Sequence, residues 1–256
     1  SKLIMHGKPI ALTIGKKNKL GQNEFEPKVE TNSVDRVVEP IVPYRAAKIE
    51  EKYNQLTLSF NSGLSVDFRC YNEGFAYRLN TSFERETIVT EESMGFELTT
   101  NPNVWFPNES SFYSHNERKF TATTSQELKK GKKASLPVLW QWENGPFLHY
   151  TETDLRDYPG MYLETDGDGG FSAIFPKHPA TTAKFFDRYE RIGFTKTYIA
   201  KSEGNRSYPW RVFTIAKNEE ALINSHLPWL LSEETKLTNT DWIKPGKVAW
   251  DWWNAL

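Results

Sequence analysis

Leu56-Thr-Leu-Ser-Phe-Asn-Ser-Gly-Leu-Ser-Val-Asp-Phe-Arg-Cys-Tyr-Asn-Glu-Gly-Phe-Ala-Tyr-Arg-Leu79 is three alternating runs joined by two glycine-containing turns. Leu56, Leu58 and Phe60 alternate with Thr57 and Ser59, and Asn61-Ser62-Gly63 turns the chain. Leu64, Val66, Phe68 and Cys70 alternate with Ser65, Asp67 and Arg69, and Asn72-Glu73-Gly74 turns it again. Phe75, Tyr77 and Leu79 then alternate with Ala76 and Arg78. Side chains of a strand alternate between its faces, so this pattern predicts an antiparallel meander with one face buried. Cys70 falls on the apolar parity and is expected to be an inert buried thiol.

Outward from the meander, short strands are predicted near 86–90, 94–99, 119–124, 136–141, 146–151, 160–164, 171–175, 195–200 and 210–216. So many strands with so few helices point to an all-β sandwich, and the number favours one large sandwich over two small ones. One helix is expected after Asn218, a capping residue followed by Glu219 and Glu220 at the positive end of the helix dipole. Leu222, Ile223 and Leu227 would share its face, and Pro228 would end it. Ser232-Glu-Glu-Thr-Lys236 then reads as a polar connector, and Asp241-Trp-Ile-Lys-Pro-Gly246 as a turn. Lys247-Val-Ala-Trp-Asp-Trp-Trp-Asn254 reads as a strand with none of its own sheet present, so more protein is expected to follow.

The charge is −1, from 32 basic and 33 acidic residues, which supplies no field for nucleic acid or an anionic membrane. No apolar run approaches the roughly 20 residues that span a bilayer. Nine tryptophans are many for 256 residues, and core packing is the expected fate of most of them. A single cysteine allows no internal disulfide. The first residues lack the apolar core of a signal peptide; if the protein is exported, a leader has already been removed.

Three segments, in order, resemble glycoside hydrolase family 97. They are Tyr150-Thr-Glu-Thr-Asp-Leu-Arg-Asp-Tyr-Pro-Gly-Met-Tyr-Leu163, Ser207-Tyr-Pro-Trp-Arg-Val-Phe213 and Trp242-Ile-Lys-Pro-Gly-Lys-Val-Ala-Trp-Asp-Trp-Trp-Asn254. The resemblance implies a secreted or periplasmic bacterial α-glucosidase or α-galactosidase. Its architecture would be an N-terminal galactose-mutarotase-like β-supersandwich, a (β/α)8 barrel and a C-terminal β-domain. Residues 1–230 would form the sandwich, and residues 231–256 the linker and the first barrel strand.

The resemblance also implies calcium at the active site, with Glu152 lent to it by the sandwich. Calcium takes six to eight oxygens, so a ligand from a neighbouring domain is chemically reasonable. Glu164 is the nearest rival. The two catalytic carboxyl groups that glycoside hydrolysis needs would come from later barrel strands, so none is expected within residues 1–256. Asp251, Trp253 and Asn254, on the presumed first barrel strand, are the expected contacts to the oligosaccharide substrate. Trp250 and Trp252 share one strand parity and Asp251 and Trp253 the other; which pair faces the barrel interior is open.

Two other functions are compatible with the sequence. An autonomous carbohydrate-binding module would need exposed, coplanar aromatic rings. A mutarotase-like enzyme would need a histidine and a glutamate converging, but His149 and Glu152 have opposite strand parity. Asp166-Gly-Asp-Gly-Gly170 lacks the full calcium-loop pattern and is expected to be a hairpin turn. Lys129-Lys-Gly-Lys-Lys133 is expected to be a solvated hairpin tip, and the five histidines have no zinc-ligand spacing.

Overall fold

The structure, a computed structural model, describes residues 3–15, 18–21, 26–185, 189–244 and 246. Among these residues two antiparallel sheets, of eight and ten strands, face each other, and a two-stranded hairpin stands apart. The all-β supersandwich expected from the sequence is what the chain forms.

The larger sheet is built on the predicted meander. Ile49–Ser59, Leu64–Tyr71 and Gly74–Ser82 are consecutive antiparallel neighbours. Lys28–Val38 adds the edge strand on one side. On the other side follow Trp210–Ala216, Phe147–Thr153, Val138–Gln141, Asn103–Phe106 and Thr121–Thr124. The smaller sheet centres on Thr87–Leu98, flanked by Met5–Ile14 and by Gly170–Ile174. The two strands predicted at 86–90 and 94–99 are this one long strand. It bulges at Thr90, whose hydroxyl donates to the Thr13 carbonyl at 3.2 Å, and so escapes a strict period of two.

Aromatic rings fill the space between the sheets. Phe96 and Phe171 of the smaller sheet meet Trp140 of the larger at 5.5 and 5.0 Å between centroids, edge to face. Tyr150 and Phe213, neighbours on the larger sheet, pack at 4.5 Å. Each such ring hides about 150–250 Å², worth roughly 4–6 kcal/mol of transfer free energy as an upper bound. Trp140, Trp142 and Trp210 are buried, whereas Trp105 and Trp242 are exposed, so core packing accounts for half of the six described tryptophans.

Asn218 caps the helix Glu219–Asn224, its Oδ1 accepting from the Ala221 amide at 2.9 Å. The helix then ends earlier than predicted. Ser225 is extended, and Leu227–Leu230 forms a second short helix with Pro228 in its first turn. Proline's missing N–H costs nothing there, so Pro228 opens a helix instead of ending one. Ile223 consequently points to solvent at 69% exposure, and only Leu227 of the expected face is buried. The two helices and Leu231 cover the outward face of the larger sheet over Ala76, Trp210 and Val212.

Cys70 is exposed, not buried. Leu64 and Val66 are buried, Phe68 is half-buried and Cys70 is exposed, so burial falls away along the strand. Alternation marked the face correctly but not the edge of the core. The Asp166–Gly170 segment is the expected hairpin turn: Asp166 Oδ1 accepts from the amides of Asp168 and Gly170, both at 2.9 Å. Lys129, Lys130 and Lys132 are exposed around Gly131, and Lys133 opens the strand Lys133–Ser135. This is a connection between the two sheets and not the expected hairpin tip, because Thr121–Thr124 and Lys133–Ser135 pair in different sheets.

Candidate functional site

Glu152 lies in the strand Phe147–Thr153 with the same parity as Tyr150, so its side chain faces the opposite sheet. Its cross-strand partner is Arg211, in a run that is otherwise apolar: Trp210-Arg211-Val212-Phe213. Arg211 reaches across the sandwich to Glu92 of the smaller sheet. Its Nε donates to Glu92 Oε1 at 3.0 Å and its Nη2 to Oε2 at 2.8 Å, a two-pronged pairing. The remaining prong, Nη1, donates to Glu152 Oε2 at 2.5 Å. Phe175 lies over the guanidinium at 5.5 Å.

The loop after Glu152 folds back onto it. The Met161 amide donates to Glu152 Oε1 at 3.0 Å, and a side chain at Gly160 would stand 3.4 Å from the same oxygen. Arg206 fixes the loop by donating to the carbonyls of Arg156 and Asp157 at 2.8 and 3.2 Å. Segments 150–163 and 207–213 therefore meet in one cluster.

The cluster is unequal in exposure. The side chains of Arg211 and Glu92 are each 1% accessible, while that of Glu152 is 11%. Burial pushes the Glu152 carboxyl above its ordinary range, against the opposing pull of Arg211 and the Met161 amide. Burial would lower Arg211, but Glu92 and Glu152 more than reverse it, so the guanidinium is firmly charged. With both carboxylates ionised the cluster carries one excess negative charge, and Glu152 is its end nearest the surface.

Calcium can be tested against these residues. Glu152 keeps unused lone pairs, because a carboxylate offers about four and two are occupied. The excess charge suits a cation. No cluster of three or more metal-binding side chains occurs among the described residues, so this chain's described part fits as the donor of one ligand and not as a whole cage. Glu164 is half-buried between Lys133 and Ser172 in register, lining a hollow of about 380 Å³ with Glu91, Glu92 and Lys177. The expected strand 247–254, with Asp251, Trp253 and Asn254, lies outside the described residues.

A cleft of about 610 Å³ lies elsewhere, on the outward face of the larger sheet. Arg69 and Arg78 lie over the buried Trp210 ring at 4.8 and 4.5 Å on its floor, with Tyr53 and Glu51 beside them. His149 and Glu152 project to opposite faces of their strand, so the pair a mutarotase-like site would need does not assemble.

Residues 1–233 match the family described as Glycosyl-hydrolase 97 N-terminal. The chain belongs to glycoside hydrolase family 97. It is 32% identical over 263 residues to a retaining alpha-galactosidase of Bacteroides thetaiotaomicron, an alignment covering 98% of this chain and 40% of that protein. The chain thus spans about two fifths of that family 97 relative and corresponds to the family's N-terminal domain. Its fold resembles a family 97 enzyme in complex with acarbose from Pseudoalteromonas sp. strain K8, with a TM-score of 0.73 and 18% identity. That likeness covers 92% of this chain and 34% of the other. A beta-arabinopyranosidase is similar with a TM-score of 0.68 and 16% identity, over 86% of this chain and 36% of that one.

Glu152 is a candidate from the sequence, whereas Glu92 and Arg211 join the cluster only in the folded structure. A signal for Arg211 was present, since a cation inside an apolar strand run must be paired when buried. Glu92 lies 119 residues away and gave no local sign.

Proposed function

We propose that this chain is the N-terminal sandwich of a calcium-dependent α-glycosidase that removes terminal α-linked sugars from oligosaccharides in the bacterial periplasm or outside the cell. The sandwich, residues 1–230, buttresses a catalytic (β/α)8 barrel of the same polypeptide, and residues 231–256 lead into that barrel's first strand. Asp251, Trp253 and Asn254 contact the sugar, and the catalytic carboxyl groups come from the barrel. The Bacteroides relative, a retaining alpha-galactosidase, favours α-galactosides and retention over the alternatives.

The observation that carries the calcium role is the unbalanced cluster Glu92–Arg211–Glu152, with Glu152 at its accessible end. A calcium ion, when bound, would supply polarisation at the reacting oxygen. The protein's own part is to present one anionic oxygen and to tie the sandwich to the barrel through it.

The experiment is hydrolysis of p-nitrophenyl α-galactoside and α-glucoside, with calcium and with chelator, by the 256-residue chain and by a longer polypeptide containing it. Activity confined to the longer protein, lost on chelation and weakened by Glu152→Ala, is expected. Turnover by the short chain, or indifference to both chelation and Glu152→Ala, would refute it.

A further inference from the structure

The Glu92 side chain is 1% accessible, yet its charge bears on how much negative charge is left at Glu152. An arginine alone with Glu152 would form a neutral pair, and a carboxylate already neutralised is a poor donor to a cation. Here Arg211 commits two of its three donor positions to Glu92, at 3.0 and 2.8 Å, and gives Glu152 one. Its charge is balanced from the opposite sheet. What Glu152 receives is one orienting hydrogen bond on Oε2, matched by the Met161 amide on Oε1, so both oxygens are fixed without the group being neutralised.

We propose that Glu92 and Arg211 are a positioning pair for Glu152: Glu92 neutralises Arg211 across the sandwich so that Arg211 orients Glu152 while leaving its charge free for a divalent cation. This rests on the reading of Glu152 as a donated calcium ligand. It adds two residues, from separate strands and separate sheets, neither of which touches the ion.

The test is calorimetric titration of Ca²⁺ into the chelator-treated longer polypeptide that contains this chain, comparing wild type with Glu92→Gln, Glu92→Asp, Arg211→Lys and Glu152→Gln. Glu92→Gln keeps the shape but removes the charge, and is expected to weaken calcium binding on the order of tenfold. Glu92→Asp restores the charge, and affinity should recover most of that loss whatever happens to the melting temperature. Purely structural residues would lower the melting temperature of both variants and leave the affinity of the folded protein unchanged. If Glu92→Gln does not fold, Arg211→Lys carries the same expectation, because a point charge cannot hold two carboxylates in the forked arrangement. Weak binding by Glu152→Gln alongside normal binding by Glu92→Gln or Arg211→Lys would overturn the positioning role and spare the ligand. Normal binding by Glu152→Gln would overturn both.

Discussion

Replacing Arg211 with methionine removes the cation that pairs with both Glu92 and Glu152, and its cost follows from the geometry. Three charge-assisted hydrogen bonds are lost, each of a kind worth about 1.5–3 kcal/mol net. They share one guanidinium and so do not simply add. The cost is dominated by Glu92 and Glu152 left without a counter-ion at 1% and 11% exposure, for a net loss of about 3–5 kcal/mol. In a chain of this size each kcal/mol moves the melting temperature by about 2–4 °C, so the variant should melt roughly 6–20 °C lower.

The deficit should also depend on pH. The folded-state pKa of Glu152 is already raised by burial, and loss of Arg211 raises it further. A carboxyl raised in the folded state destabilises above that pKa and ceases to do so once it is protonated. The gap between variant and wild type should therefore be widest at neutral pH and narrow as pH falls through the raised pKa towards the ordinary value near 4.5. Thermal melts followed by circular dichroism at pH 7, 5.5 and 4 measure this. A deficit below about 1 kcal/mol, or one equal at pH 7 and pH 4, would refute the picture of a buried, charge-compensated cluster.

Gly74→Ala would place a Cβ 2.1 Å from the Phe213 carbonyl at a φ of 147°, so its urea midpoint should correspond to a loss of more than about 2 kcal/mol; a loss below half that would contradict the close strand approach. Burial holds the His149 imidazole below its usual 6.5. The unfolded chain then takes up the proton first, and stability should fall as pH drops below about 6.5. His149→Asn should flatten that slope, and an unchanged slope would assign it to other groups. Cys70 should react with Ellman's reagent in the native protein as completely as in urea; protection until unfolding would restore the buried thiol.

The legible parts of the fold were those whose physics is local. The meander of Leu56 to Leu79, the Asn218 cap and the Asp166 turn each depend on neighbours within a few residues. Lys28–Val38 escaped because it is an edge strand. Its partner Ile49–Ser59 lies on one side only, and most of its side chains are exposed, so nothing selects an alternating pattern. Pro228 was misjudged because a helix stop and a new helix start carry the same residue. Of the candidate site, Glu152 could be named from the sequence, but the ion-pair cluster around it could not. Its charge state depends on Glu92 and Arg211, which the folded sheets bring together.

The hairpin Pro179–Phe185 and Tyr189–Thr195 belongs to neither sheet, and none of its described side chains is buried. A lone pair of strands is only marginally stable in water. Its amides should therefore exchange with deuterium through local opening, far faster than those of Phe96, Tyr150 or Phe213 in the sandwich. A protease should nick this arm while the sandwich stays whole, leaving two fragments that travel together until denaturant separates them.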